Sequence, residues 1–288
     1  MKMYSGTTLT KYSGRIMGTH QKIDRTARRH LSRLIIDDGL FPNSSMILQF
    51  EGKNGPDGIK RKSPAKNEPW HFYSPFDDDD SQLIELINDH YQELVNQLKS
   101  NNTERVAFEA AWLAHAIVDG LTPAHHYPYE EKLTELRGEG IESRATIKTK
   151  IVIPGDTRSQ KVKNNWKMWG PKGLFTTHGL FEIGVASIFT PLSFNDALPT
   201  EDDVKELHEF GVTGLFKNKA REIAVLDMYG EYYRKGWTSK LAYDVRHKLG
   251  PIIVKTVTLV WYESLIEAGI IEGTYACNKR TIKRKTVQ

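Results

Sequence analysis

The stretch from Ala110 to His125 constrains the fold more than any other part of the chain. From Ala110 to Asp119 it reads Ala-Ala-Trp-Leu-Ala-His-Ala-Ile-Val-Asp, apolar except for His115 and Asp119. Their spacing of four places both on one face of a helix, about one turn apart. Burying two such groups costs free energy unless they pair or bind a metal. Pro123 then stops the helix, because proline removes a donor and clashes with the preceding turn. The break lets His125 fold back toward the same centre. The expected product is a core helix that carries ligand-type side chains into the interior.

The rest of the pattern is helical. Ile23, Ala27, Leu31, Leu34 and Ile35 recur at three and four, which predicts a helix over His20 to Asp37, ended by Gly39 and Pro42. Helices are expected from Ser81 to Lys99 and from Thr103 to Asp119 as a hairpin, then over His178 to Phe189. A further helix is expected from a Thr200/Asp203 cap to Tyr229, and a last one over Pro251 to Ala268. The acidic run Asp77 to Asp80 reads as favourable charge at a helix N-terminus. Residues 41–80 hold no long periodic segment, yet they contain Asp57 and the string Trp70, His71, Phe72, Tyr73. Residues 127–177 read as a loop-rich insertion in which Ile147 to Ile153 is β-like. These features predict an all-α fold: one compact multi-helix domain over 1–288, with a small irregular or β-like insertion.

Composition narrows the class further. Hydrophobic residues make up 39% of the 288 and charged residues 26%, which excludes collagenous and disordered chains. Cys277 is the single cysteine, so no internal disulfide forms. The net charge of +4 permits an anionic substrate, and much of it is concentrated in a basic tail over 279–288. Residues 1–19 are polar and expected to be extended. Without a continuous apolar run near Met1, the expected location is cytoplasmic, with secretion expected only if the start lies elsewhere.

His178 and Glu182 repeat the one-turn spacing of His115 and Asp119 on another helix. Imidazole and carboxylate without thiolate suit zinc in a catalytic role better than a closed structural site. Several such groups in one cavity also suggest more than one ion, an arrangement able to activate water and clamp a phosphate together.

Five strings in order carry a resemblance: Gly18-Thr-His20-x2-Ile23, Gly55-Pro-Asp57, His71-Phe-Tyr-Ser-Pro, His115-x3-Asp119-x3-Pro123-x-His125 and His178-x3-Glu182. Over residues 12–182 the chain resembles the zinc-dependent phospholipase C family, which is related to the fungal single-strand zinc nucleases. The resemblance implies a compact helical domain with zinc ions at the bottom of a cleft. It implies Asp57, His71, His115 and Asp119 around one ion, and His125, His178 and Glu182 around a second. His20, sharing Asp119, would hold a third, so two or three zinc ions are expected. Asp57 is also expected to act as the catalytic base.

Two departures stand out. The family's processed chains begin with a tryptophan whose amino group and carbonyl bind the third zinc. Here the aligned residue is Tyr12, inside the chain. The interval from His125 to His178 is also longer than in short members and holds Lys161, Lys163, Lys167, Trp166 and Trp169. Such a mixture can engage a lipid headgroup or a nucleic-acid strand. The expected activity is hydrolysis of phospholipid to diacylglycerol and a phosphorylated headgroup at a transient membrane surface, with no protein partner. The alternatives are a single-strand nuclease or nucleotide phosphatase acting on nucleic acid, and a non-catalytic zinc-containing protein that binds a membrane or partner.

Overall fold

Ile23, Ala27, Leu31 and Leu34 are all buried along one face of Thr19–Leu34 (α1), so the apolar period read from the sequence is the face that packs. The helix ends at Leu34, before the expected Asp37, because Ile35 is already extended. The computed structural model describes residues 18–35, 38–60 and 62–272, together with the backbone of two strands, Lys2–Met3 (β1) and Gly6–Thr7 (β2). Asp37, Tyr12, Cys277 and the basic tail lie outside the described residues. The strands pair antiparallel, Lys2 with Thr7, and form the one sheet among the described residues.

The segment after α1 is built of short pieces, including Ser44–Ile47 (α2) and Pro56–Lys60 (α3). Gln82–Lys99 (α4) and Thr103–Gly120 (α5) follow as the expected hairpin and pack tightly together. Asn102 starts α5 by accepting a hydrogen bond from the Arg105 amide. Ala107, Ala110, Ala111 and Ala114 are buried on α5, and such small side chains let neighbouring elements approach closely. Gly120 is needed for the same reason: a Cβ there would lie 2.5 Å from both Leu83 and Phe216.

Residues 127–177 contain three helices: Tyr129–Arg137 (α6), Ile147–Ile151 (α7) and Arg158–Trp169 (α8). The β-like reading of Ile147 to Ile153 gives way to a helical turn. Thr146 accepts from the Thr149 amide and fixes the turn, while Ile147 and Ile151 stay exposed and only Ile153 is buried. Phe72, Tyr129, Leu133, Ile153 and Met168 form a small second core that holds this insertion against the main body. The ion pair of Lys150 with Glu68 adds to the attachment, while that of Arg144 with Glu130 braces the insertion internally.

Leu174–Phe189 (α9) ends where expected but starts one turn before His178. Glu201–Ala224 (α10) starts at the expected Thr200/Asp203 cap but breaks at Gly211, whose φ of 67° is non-helical. It stops at Ala224, short of the expected Tyr229. Asp227 then turns the chain with a φ of 46°, and Met228–Lys235 (α11) is a separate helix. Ser239–Asp244 (α12) and Gly250–Glu267 (α13) are joined by a π turn at Val245–Leu249. The run Ser239–Glu267 is long and apolar enough to cross a membrane by length and composition, and 72% of its most apolar window is buried inside the fold. It serves as the central core element: α13 packs on α1, α4, α5 and α10, and Trp261 donates its indole N–H to the Ala110 carbonyl at 3.1 Å. The fold is thus almost entirely helical.

Candidate metal centre

Four segments deliver the ligand-type side chains. His20 stands at the N-terminal turn of α1, and His115 and Asp119 lie one turn apart on α5. His125 lies on the 3-10 turn Pro123–His126 that follows the proline stop, and His178 and Glu182 lie one turn apart on α9. All six of these His, Asp and Glu residues are buried. The segment from Phe50 to Lys60, which ends in α3, brings Glu51, Asp57 and Lys60 to the same place.

Asp119 is the hub. Its Oδ1 lies 3.3 Å from His20 Nε2 and 3.6 Å from His125 Nδ1, and its Oδ2 lies 3.4 Å from His115 Nε2. The rings of His20 and His115 stack with centroids 3.8 Å apart. On the other side of Asp119, Glu182 Oε1 sits 3.2 Å from His125 Nε2 and 3.1 Å from His178 Nε2. His125, His178 and Glu182 therefore form one convergent donor set, the second in chain order. The other set, the first in chain order, joins His20 and His115 to Glu51, a residue the sequence reading did not select.

Glu51 is fully buried, and its two carboxylate oxygens each lie 3.3 Å from His115 Nδ1. His115 thus points one nitrogen at Glu51 and the other at Asp119, the carboxylate–histidine arrangement that orients a metal ligand. Asp24, one turn after His20 on α1, is buried with neither oxygen hydrogen-bonded. Burial and the adjacent Glu51 charge hold its carboxyl well above the usual range, with His115 opposing.

Asp57 and His71 stand beside different donor sets. Asp57 Oδ1 pairs with Lys60 Nζ at 2.7 Å, and the same ammonium lies 3.8 Å from Asp119 Oδ2. Burial pushes the Asp57 carboxyl upward, but Lys60 and His115 outweigh it and hold the group far below the ordinary range. Asp57 Oδ1 lies 3.9 Å from His115 Nε2 and so remains beside the first set. His71 makes no ion pair with Asp57 or Asp119 among the described contacts. Its ring instead stands edge-on to His125, with centroids 5.2 Å apart, and its Nδ1 faces the Pro69 carbonyl at 3.3 Å. Burial, Lys60 and His125 all keep its pKa well below the usual value, so His71 is a neutral imidazole beside the second set.

The carboxylates dominate the field. Burial alone would neutralise them, yet the surrounding cations hold Asp119 well below its usual range, and His178 and His125 hold Glu182 down at about 2. Burial disfavours the charged rings of His115 and His125, but Glu51 with Asp119 raises the first and Asp119 with Glu182 raises the second.

Buried polar atoms rarely lack partners, and each donor set holds a ring nitrogen that does. His115 Nε2 and His178 Nδ1 are buried and make no hydrogen bond. Nitrogen and carboxylate donors without thiolate, meeting in compact buried groups, fit a zinc ion. Comparison with known protein families, curated proteins and solved structures finds no match to the chain.

His30 and His90, to which the sequence assigned no role, are satisfied elsewhere. His30 Nε2 lies 2.8 Å from the Phe194 carbonyl and His90 Nδ1 2.6 Å from Glu109. The sequence did carry a sign of Asp24, since His20-x3-Asp24 has the same spacing as His115-x3-Asp119. Glu51 and Lys60 carried none, because a loop of Gly, Pro, Asn and Lys gives no periodicity from which to predict what it covers.

Proposed function

We propose that the chain is a zinc-dependent phosphodiester hydrolase of the phospholipase C kind. The observation that carries this reading is the position of Asp119, whose one carboxylate faces His20, His115 and His125 while Glu182 gathers His125 and His178 beside it. His125, His178 and Glu182 would hold one zinc ion, and His115, His20, Asp119 and Asp57 would hold the ion or ions next to it. Zinc bound there supplies Lewis acidity toward a phosphoryl oxygen and makes water acidic enough to act as a nucleophile near neutral pH.

The protein's own groups complete the site. Lys60 is fixed between Asp57 and Asp119, and both carboxylates hold its ammonium above its ordinary range against burial, so it is a permanent positive charge. A preorganised cation at that point favours the charge that builds on phosphate oxygens as a phosphodiester is displaced. Glu51 fixes the ring orientation of His115. Phe72 stacks on Tyr129 at 5.3 Å and packs edge-on to His125 and His178, limiting the motion of both imidazoles.

Phospholipid is the substrate this reading favours, on the motif resemblance and on the surface of the insertion. Val162 and Trp166 are 70% and 68% exposed one turn apart on α8, and Trp169 is exposed nearby. Lys161 and Lys163 flank them and are exposed as well. Tryptophan with lysine around an apolar ridge suits the boundary between headgroups and acyl chains.

The test is product release from phosphatidylcholine, an anionic phospholipid and single-stranded DNA by zinc-reconstituted protein and by its His115→Ala variant. Diacylglycerol release lost in the variant supports the reading. Cleavage of DNA alone reassigns the chain to the nuclease class, and bound zinc without turnover of any substrate makes it a binding protein.

A further inference from the structure

A cleft of about 380 Å³ opens beside the second donor set. Its wall includes Thr177, which precedes His178, and Tyr127, two residues beyond His125. Tyr229, also in the wall, has its ring 6.5 Å from that of His178. A group bound in the cleft therefore lies next to the residues proposed to hold zinc.

The charges in the cleft are unequal. Lys132, Lys167 and Lys172 line it against one carboxylate, Glu135. Lys132 pairs with Glu135 at 3.0 Å. Lys167 and Lys172 make no ion pair among the described residues, and both are exposed, so the cleft carries two uncompensated ammonium groups. A cationic headgroup such as choline is served by a free carboxylate with aromatic rings. The rings are here, but the carboxylate is engaged by Lys132 and two further lysines repel a cation.

We infer that the cleft receives a substrate headgroup bearing negative charge beyond the scissile phosphodiester, such as a second phosphate, with Lys167 and Lys172 as its specificity-determining residues. The inference rests on the hydrolase reading above. Lysine is a compact charge suited to phosphate, and tyrosine hydroxyls add hydrogen-bond donors. Burial keeps the Tyr229 phenol well above its ordinary pKa, so it remains a donor.

A second phosphate could belong to a lipid headgroup or to the next linkage of a nucleic acid. An adjoining groove of about 310 Å³ decides for lipid. It shares Tyr127, Tyr229 and Tyr233 with the cleft and continues over Phe76 and Pro128, an apolar path beside the Asp227–Arg234 ion pair that suits an acyl chain.

The experiment is calorimetric titration of zinc-reconstituted protein and its Lys167→Glu/Lys172→Glu variant with three soluble probes. These are inositol bisphosphate, phosphocholine and a 5′-phosphorylated thymidine dinucleotide. The inference predicts that inositol bisphosphate binds tightest and that the variant weakens it about tenfold or more. Equal binding to both proteins, or a preference for phosphocholine, overturns it. Tighter binding of the dinucleotide overturns the lipid assignment. Turnover of bis(p-nitrophenyl) phosphate by the wild type reports separately on the hydrolase reading: lysine-dependent binding without turnover supports the cleft and defeats the hydrolase.

Discussion

Glu51 and His115 meet through the ring nitrogen that faces away from Asp119: both Glu51 oxygens lie 3.3 Å from His115 Nδ1. A buried carboxylate in that position fixes the tautomer and strengthens Nε2 as a donor. Glu51→Gln keeps the shape and removes the charge. Zinc affinity should fall by about 10- to 100-fold, measured by competition with a chromogenic chelator. Unchanged affinity would remove Glu51 from the centre.

Lys60 pairs with Asp57 at 2.7 Å, and as an ammonium it contributes charge without a donor atom for zinc. Lys60→Met keeps the volume and removes the ammonium. With zinc bound, kcat for bis(p-nitrophenyl) phosphate should drop by about a hundredfold, while zinc content by atomic absorption stays at the wild-type level. A drop in metal content matching the drop in rate would make Lys60 a structural residue only.

His30 supplies a pH test far from the centre. Burial outweighs the Phe194 carbonyl and Asp196 and, with Arg29 and Arg33, keeps its pKa below the ordinary value. The unfolded ring titrates near about 6.5 and binds its proton more readily than the folded one. The contribution of His30 is therefore present above that pH and is lost as pH falls through it toward the folded pKa. Between about pH 7.5 and about pH 5.5, the Tm of wild type should fall more than that of His30→Gln, whose amide can still donate to the Phe194 carbonyl. Parallel curves would contradict the assignment.

Trp166 reports on the membrane reading, because its indole is 68% exposed on the insertion. Trp166→Ala combined with Val162→Asp should weaken binding to vesicles of mixed phosphatidylcholine and phosphatidylglycerol by about tenfold. Sedimentation measures this. Turnover of a soluble phosphodiester should fall much less, and an equal fall in both would deny the surface a membrane role.

The elements that could be read from the sequence are those that bury a periodic face. On α1, α4, α5, α9 and α13 the apolar residues that recur at three and four are the ones packed inside, so the expected spans hold to within a few residues apart from the first turn of α9. The insertion was not legible because its helices bury little: on α8 only Met168 is buried, and a Thr157 cap starts the helix. The break after α10 was hidden because Asp227, not glycine, takes the positive φ while Leu226 and Met228 continue the apolar pattern. Within the site, His115 with Asp119 and His178 with Glu182 were legible as local helical spacings. Glu51 and Lys60 enter only through the path of a loop over α5, and the ion pair of Asp57 with Lys60 depends on that same path.

Anomalous diffraction at the zinc edge from crystals grown with zinc tests the central claim most directly. The account predicts one peak among His125, His178 and Glu182 and at least one more beside His115, His20 and Asp119, with the first lost in Glu182→Gln. Crystals soaked in zinc that show no peak at either donor set would contradict it.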